Sequence, residues 1–195
     1  MSWTTLVKTK ITAWHERLLR SRADENSKMK YLNVQISGLS GRPHPILHNV
    51  CTNQEVKKLR LHLKFLTCDY LTNERLSKDR PNMSSTCDLC LDCADTIEHV
   101  LASCKATTEV RDRLYPELVN VVASVQPMCA ILTQHPPADI LTQFILDCSS
   151  ANLPESFRIP IHNPNITDIY RISRDWCFGI SSERSRLLKV VLSNK

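Results

Sequence analysis

The chain has 195 residues, of which 42% are apolar, and it contains three Gly, ten Pro and nine Cys. This length suits one domain or two small ones with a hydrophobic core of their own. No segment approaches the roughly 18 consecutive apolar residues of a membrane span, and the N-terminus lacks a signal-peptide core, so we expect an intracellular protein with no membrane partner. In that setting nine Cys are more typical of thiols and metal ligands than of disulfides.

The net charge of +5 hides an uneven distribution of charge along the chain. Residues 1–80 carry 15 Lys and Arg against 7 Asp and Glu, whereas residues 81–150 carry 3 against 9. Residues 151–195 carry 7 against 4. A basic arm, an acidic middle and a mildly basic tail therefore follow one another.

The first predicted element is an amphipathic helix over residues 2–22, with apolar residues on one stripe and basic residues on the other faces. Its basic side chains include Lys8, Lys10, Arg17 and Arg20. A shorter helix over 27–36 is predicted next, and the Gly and Pro residues between 38 and 45 indicate a turn-rich linker.

The clearest predicted helix begins at Thr52, whose spacing to Glu55 is that of a capping box. Apolar residues then recur at intervals of three and four residues, which predicts a buried stripe along one face. That stripe consists of Val56, Leu59, Leu63, Leu66 and Tyr70. The basic side chains beside it include Lys57, Lys58, Arg60 and Lys64.

Three more helices are predicted in the second half of the chain. One covers about 107–124 and ends before Pro127, and another follows a proline pair and reaches about residue 148. The stretch 149–164 contains three prolines and predicts a loop, and Asn163 and Pro164 begin the last helix. The predicted apolar stripe of that helix includes Ile166, Ile169, Ile172, Trp176, Ile180 and Leu187. Helical rather than alternating periodicity throughout predicts an all-α fold.

The strongest functional pattern is the sequence CDLCLDCADTIEHVLASC, which ends at residue 104. Cys87-x2-Cys90 followed by His99-x4-Cys104 supplies three thiolates and one imidazole at spacings typical of a tetrahedral zinc site. Such a set leaves no coordination position for water. The pattern therefore predicts a structural Zn²⁺ in a CCHC zinc knuckle embedded among the helices.

Two other interpretations of the cysteines stay open at this point. In one, Cys93 replaces a member of the set, since Cys90-x2-Cys93 has the same spacing as the first pair. In the other, these cysteines are small buried residues of a Cys-rich chain.

The cysteine motif and its flanks resemble a known family. LRLHLKFLTCDYLTNERLSK, CDLCLDCADTIEHVLASC and VRDRLYPEL are similar to the zinc-binding region that follows the reverse transcriptase in non-LTR (LINE-type) retrotransposon polyproteins. In that family a basic helix with a Leu-Thr-x-x-Tyr step precedes Cys-x2-Cys, a Glu-His element, a further Cys and an Arg. The matching residues are Leu66, Thr67, Tyr70, Cys87, Cys90, Glu98, His99, Cys104 and Arg111. Residues 141–149 and 171–188 resemble the extreme C-terminus of such polyproteins more loosely.

The resemblance implies an accessory module, truncated or detached, that helps a polymerase hold its RNA template or target DNA. The reverse transcriptase domain of the parent polyprotein would be its partner. The chain has neither the Asp-Asp pair of that polymerase nor the Pro-Asp step of the nuclease that follows the zinc motif in some relatives. We therefore expect a non-catalytic protein rather than an enzyme.

Nucleic acid is expected to contact the basic helices rather than the knuckle. Four acidic side chains surround the motif, and residues 84–104 contain no aromatic ring for base stacking. These acidic residues are Asp88, Asp92, Asp95 and Glu98. Candidate phosphate contacts are Lys57, Lys58, Arg60, Lys64, Lys8, Lys10, Arg17 and Arg20. The alternatives are an ordinary solvated helix face and, for the whole chain, a protein–protein interaction or purely structural domain.

The predicted organisation has three parts. A basic helical segment and linker covers 1–50, a helical zinc-binding region covers 51–150, and a loop with the C-terminal helix covers 151–195. The histidines outside the motif are expected on the surface or in loops, because none has the neighbours of a catalytic triad or second metal site. They are His15, His44, His48, His62, His135 and His162.

Overall fold

A computed structural model of the chain describes residues 30–31, 44–133 and 135–193. Over these ranges the secondary structure is helical, and an isolated antiparallel bridge between Thr86 and Ala94 is the only pairing of extended backbone. The prediction of an all-α fold is confirmed. The helices are α1 (Asn53–Leu66), α2 (Asn73–Asp79), α3 (Thr108–Val125), α4 (Ala138–Leu146) and α5 (Ile166–Ser193).

Shorter helical turns connect these elements. They are the 3₁₀ turns Pro45–Leu47, Lys105–Thr107, Ala130–Leu132 and Glu155–Phe157 and the π-helical turn His99–Ser103. Among the described helices, none combines the length and the apolar character that crossing a bilayer requires.

Helix α1 begins as its sequence predicts and ends earlier. The Thr52 hydroxyl accepts the Glu55 backbone N–H at 3.1 Å, which is the N-terminal half of a capping box. The Glu55 carboxylate does not complete the box, because it accepts a hydrogen bond from Lys58 at 2.9 Å and lies 3.5 Å from Arg174. The helix ends at Leu66, and the φ of Cys68 is 53°, which is not compatible with a continuing right-handed helix.

The buried face of α1 matches the predicted stripe in part. His62, Phe65 and Leu66 are buried, whereas Val56 is 39% exposed. The buried side lies against α5 and α4, and the His62 ring N–H at Nε2 donates to the Leu146 carbonyl at 2.9 Å. Leu66 is in the core, and Leu59, Leu63 and Tyr70 pack against it, so the predicted stripe is confirmed except at Val56. His62 was missed as a member of the buried face, because periodicity of apolar residues does not select a polar ring.

Helix α5 is the central element and packs against both α3 and α1. The predicted apolar stripe is buried over most of its length, at Ile166, Ile169, Ile172, Trp176 and Ile180. A Cβ added to Gly179 would lie 3.1 Å from Val110 Cγ1 and 3.5 Å from Leu114 Cδ1, so a glycine lets α3 approach closely here. Leu114, Leu118 and Val122 form the facing stripe of α3.

A buried polar network lies where α4 ends. Asp147 Oδ1 accepts hydrogen bonds from the Tyr170 hydroxyl at 2.8 Å and the Ser149 hydroxyl at 2.7 Å. His44 Nε2 lies 3.8 Å from the other oxygen of Asp147, and its ring packs edge-on against Tyr170. Burial lowers the pKa of His44, while Asp147 opposes that shift. The expectation that each histidine outside the motif lies on the surface or in a loop was wrong for His62, which is buried within α1, whereas His44 lies in a loop but is also buried.

One cluster of buried apolar residues runs through the three predicted parts of the chain. It includes Tyr31 and Ile46 from the first, Leu66 and Phe144 from the second, and Trp176 from the third. The boundaries at residues 50 and 150 stay predictions, but the described residues on either side of them share this core.

Candidate metal centre

Cys87 and Cys90 lie on a tight loop, residues 84–96, which we call the knuckle loop. Its ends are joined by the Thr86–Ala94 bridge, and the Cys87 N–H donates to the Cys93 carbonyl at 2.9 Å. The Leu91 N–H closes the turn on the Cys87 carbonyl at 3.0 Å, with Leu91 at a φ of 58°. A left-handed conformation costs an L-residue about 1–2 kcal/mol, so other interactions have to stabilise this turn.

His99 and Cys104 lie at the two ends of the π-helical turn. The Cys104 N–H donates to the His99 carbonyl at 2.7 Å, and this wider turn places both side chains towards the knuckle loop. The turn is anchored in the core, because Val100 and Leu101 are buried and Trp176 Nε1 donates to the Leu101 carbonyl at 3.0 Å. Two of the predicted ligands are thus held on the helical core.

The ligand atoms of Cys87, Cys90, His99 and Cys104 all lie within 4.8 Å of one another. Two sulfurs bound to one zinc at about 2.3 Å and a tetrahedral angle are about 3.8 Å apart, and a sulfur and a nitrogen are slightly closer. The Cys87 and Cys104 sulfurs are 3.9 Å apart, and Cys90 Sγ is 3.3 Å from His99 Nε2. These four residues, which are the predicted ligands, could hold a metal ion; Cys93 is not a member of the group.

The centre is largely closed to solvent. Cys87, Cys104 and His99 are buried, with exposed fractions of 0%, 1% and 5%, and Cys90 is half-buried at the outer side. A group of four soft donors in such an environment matches structural zinc sites, which have no open coordination position.

Burial also shifts the protonation equilibria of the ligands. It raises the pKa of the Cys104 thiol to about 11 and lowers the pKa of His99, so the imidazole is neutral and able to coordinate at neutral pH. At Cys90, desolvation disfavours the thiolate, but hydrogen bonds from the Asp92 backbone, from the thiols of Cys87 and Cys104 and from the Cys93 backbone together outweigh it and lower the pKa. A metal ion binding here would displace protons from the thiols.

Arg184 and Asp95 lie beside the centre, and no sequence pattern predicted the contacts that they make there. Arg184 of α5, 4% exposed, donates to Asp95 Oδ2 at 2.6 Å and approaches Cys87 Sγ at 3.8 Å. Burial by itself would lower the pKa of Arg184, but Asp95 and Cys87 together raise it. Three thiolates and a Zn²⁺ sum to −1, so a fixed cation at this position compensates the charge of a filled site. No local spacing could reveal Arg184, which is 97 residues from Cys87.

Asp95 and Asn73 connect the knuckle loop to α2. Asp95 Oδ2 also accepts the Asn73 backbone N–H at 2.7 Å, at the first residue of that helix. The Asn73 side-chain amide donates to the Thr86 carbonyl at 2.7 Å and to Asp88 at 2.8 Å. Asp95, predicted only as part of an acidic surround, is fully buried and joins α2, α5 and the knuckle loop.

The remaining residues of the family-like motif have structural contacts. Glu98 accepts hydrogen bonds from Lys30 and from the Tyr31 hydroxyl, which outweigh the effect of its partial burial and lower its pKa to about 2. Arg111 donates to the hydroxyls of Thr107 and Thr108 at the start of α3. Thr67 caps α1, and Tyr70 stacks on Phe65 with ring centroids 3.9 Å apart.

The candidate phosphate-binding residues fall into three groups. Lys57, Arg60 and Lys64 are exposed and border a shallow groove that Leu61, Leu63 and Thr67 also line. Lys58 is engaged elsewhere, in ion pairs with Glu55 at 2.9 Å and Asp175 at 2.6 Å. Lys8, Lys10, Arg17 and Arg20 lie outside the described residues.

Fold and site together define an α-helical protein with a buried Cys₃His group. No protein-family model matches the chain, and no significant match was found among curated proteins or solved structures. Inference about function therefore starts from the site itself.

Proposed function

We propose that the chain binds one Zn²⁺ through Cys87, Cys90, His99 and Cys104, in a structural CCHC knuckle. The observation that carries this proposal is the convergence of the four ligand atoms within 4.8 Å from two separate turns. The distances between the ligand atoms fit a tetrahedral ion, and soft sulfur with imidazole favours zinc over Mg²⁺ or Ca²⁺. The buried Arg184 beside Cys87 supports a centre of net negative charge.

Native mass spectrometry with elemental analysis tests the zinc site. The wild-type chain is expected to carry one zinc per molecule, and Cys87→Ser is expected to lose it, because three ligands and a hydroxyl bind zinc far more weakly. Cys51→Ser is the matched control, since Cys51 is an exposed cysteine away from the group. A wild-type chain that takes up no zinc, or a Cys87→Ser variant that keeps a full equivalent, contradicts the proposal.

As its biological role we propose a non-catalytic accessory module of a retrotransposon reverse transcriptase that associates with RNA or DNA. The motif resemblance to non-LTR retrotransposon polyproteins supports this role. So does the exposed row Lys57, Arg60 and Lys64, whose spacing of three and four residues puts the side chains on one side of α1. Such cations bind phosphates without reading sequence, and their contribution decreases with salt. The proposed phosphate-binding surface does not include Lys58, because its ammonium group pairs with Glu55 and Asp175.

Binding of labelled single-stranded RNA at two salt concentrations tests this role. Replacing Lys57, Arg60 and Lys64 together by Glu is expected to weaken low-salt binding at least tenfold, because three phosphate contacts become repulsive. The control replaces Lys78, Arg80 and Lys189 by Glu, which are also exposed and change the net charge equally. An equal loss in both triple variants would show a general charge effect, and affinity independent of salt would contradict phosphate binding.

A second candidate function, a protein–protein interaction domain, is favoured by the surface of the knuckle loop. Leu91 is 72% exposed, and Asp88 and Asp92 flank it in the sequence, although Asp92 pairs with Lys105 at 2.8 Å. An exposed apolar side chain in an acidic segment suits a basic protein partner better than nucleic acid. The RNA experiment separates the two functions, since this one predicts no salt-dependent RNA binding.

A further inference from the structure

The two ring nitrogens of His99 face different side chains. Nε2 lies 3.3 Å from Cys90 Sγ, on the side of the four-ligand group. Nδ1 points the other way, 3.1 Å from Cys93 Sγ and 3.4 Å from Ser103 Oγ. The ring therefore separates the centre from a fifth cysteine that is not one of the clustered ligands.

A neutral histidine that coordinates a metal through Nε2 carries its proton on Nδ1, and this Nδ1–H needs a hydrogen-bond acceptor. In metal sites this N–H normally donates a hydrogen bond to a group outside the set of ligands, and that bond fixes the tautomer and the ring orientation. Two acceptors are in reach here. The Ser103 oxygen at 3.4 Å is at the limit for an N–H···O bond, whereas the larger sulfur of Cys93 at 3.1 Å is well within contact.

The backbone holds Cys93 at this position. Its carbonyl accepts the Cys87 N–H at 2.9 Å, beside the Thr86–Ala94 bridge that closes the knuckle loop. Cys93 is thus tied to a ligand through the main chain while its own side chain is exposed. The exposed thiol of Cys93 lies outside the four-ligand group, and it is well placed to accept a hydrogen bond from the His99 Nδ1–H.

We propose that Cys93 is a positioning residue of the metal centre: its sulfur accepts the His99 Nδ1–H and so directs the Nε2 lone pair at the zinc. The proposal rests on the proposed zinc site and deepens it. It also explains why a Cys-x2-Cys spacing recurs at residues 90 and 93 without a second pair of ligands.

Three variants test the proposal: Cys93→Ala removes the acceptor, Cys93→Ser replaces it by a hydroxyl, and Ser103→Ala removes the weaker alternative. Each is titrated with Zn²⁺ against a competing chelator, and with Co²⁺ to record the thiolate-to-cobalt charge-transfer absorption. Nitrogen-15 NMR of the histidine rings in the zinc-loaded protein reports the tautomer of His99 and the exchange of its Nδ1 proton.

Cys93→Ala is expected to bind zinc about tenfold more weakly, at the lower end of typical outer-shell effects. The charge-transfer absorption should stay at the wild-type intensity, and the His99 Nδ1 proton should exchange faster with water. Cys93→Ser should recover most of the affinity, because a hydroxyl is also an acceptor, and Ser103→Ala should have the smaller effect.

Three results would overturn the proposal. A loss of about one third of the charge-transfer intensity in Cys93→Ala would make Cys93 one of three thiolate ligands. Unchanged affinity together with an unchanged Nδ1 proton would make it a bystander while leaving the zinc site intact. A wild-type chain that binds neither metal would overturn the zinc site itself, and this role with it.

Discussion

The knuckle loop and helix α4 are stabilised by different interactions. Within residues 84–96 only Cys87 and Asp95 are buried, and Cys87 belongs to the Cys₃His group while Asp95 is the charged partner of Arg184. Helix α4 is shorter, yet it buries a continuous run of side chains from Leu141 to Leu146. The loop contributes almost no apolar side chain to the core, whereas the helix contributes mainly apolar ones.

This contrast has an energetic consequence. Ordering a residue costs about 1–2 kcal/mol of backbone entropy, and burial of apolar surface returns about 25 cal/mol per Å². The helix offsets its cost through packing, but the loop has no such source. Its order has to come from polar contacts and, in our proposal, from the zinc, since structural zinc in finger peptides provides on the order of 10 kcal/mol of apparent binding energy.

Removal of the metal should have the largest effect, and it should separate the two regions. Chelation is expected to abolish amide protection over the knuckle loop, residues 84–96, because the ligands are then no longer joined, while α4 and the turn His99–Ser103 stay protected by their packing. Hydrogen exchange followed by mass spectrometry measures both regions in one sample.

A substitution in the core of α4 should instead lower the stability of the fold and leave the metal site of the knuckle loop intact. Phe144→Ala truncates a fully buried ring of α4 and should cost about 3–5 kcal/mol of unfolding free energy, with one zinc still bound. If chelation instead left the amide protection of residues 84–96 unchanged, the dependence of the knuckle loop on metal would be refuted.

Breaking the buried pair between Arg184 and Asp95 should have the next largest effect. Arg184→Met leaves the Asp95 carboxylate buried without its cation, which typically costs about 3–5 kcal/mol. Zinc affinity should also fall by roughly 10–100-fold, because the charge beside Cys87 is lost. Chemical denaturation and metal competition measure the two quantities.

Arg186→Met is the matched control for this variant. Arg186 lies two residues further along α5, is exposed and pairs with Glu183, so its loss should change stability by less than about 0.5 kcal/mol. Equal effects of the two substitutions would mean that the contact of α5 with the knuckle loop contributes nothing specific.

The contribution of His62 to acid sensitivity should be the smallest effect, and it acts on the core rather than on the knuckle loop. Burial, opposed by the hydrogen bond to Leu146, lowers the pKa of His62 to about 4, against an ordinary value of 6.5. The unfolded chain therefore binds a proton that the folded chain excludes, and stability is lost as the pH falls from 6.5 towards 4. Between pH 7 and pH 5 the loss should be about 2 kcal/mol.

His62→Gln isolates this contribution. Its side-chain amide can still donate to the Leu146 carbonyl but does not titrate, so its unfolding free energy should change less between pH 7 and pH 5 than that of the wild type. Zinc release and His44 affect both proteins and cancel in the comparison. Parallel pH profiles would show that His62 is not the group responsible.

Local patterns predicted those features that depend on neighbouring residues. The span of α3 and the buried stripe of α5 follow from periodicity, and Thr52 follows from capping chemistry. The four residues of the metal group follow from spacing, since two short turns are enough to bring them together. The end of α1 was missed, because the apolar pattern continues to Tyr70 although the backbone turns at Cys68.

By itself, the sequence determined the helical class, the main helix positions and the cluster of Cys87, Cys90, His99 and Cys104. Only the tertiary structure decided that Arg184 faces Cys87, that Asp95 is buried, and that His62 belongs to the core. The reason is physical: helix periodicity and metal-ligand spacing act over a few residues along the chain. Pairing of a buried charge or imidazole instead depends on which distant helix packs against it.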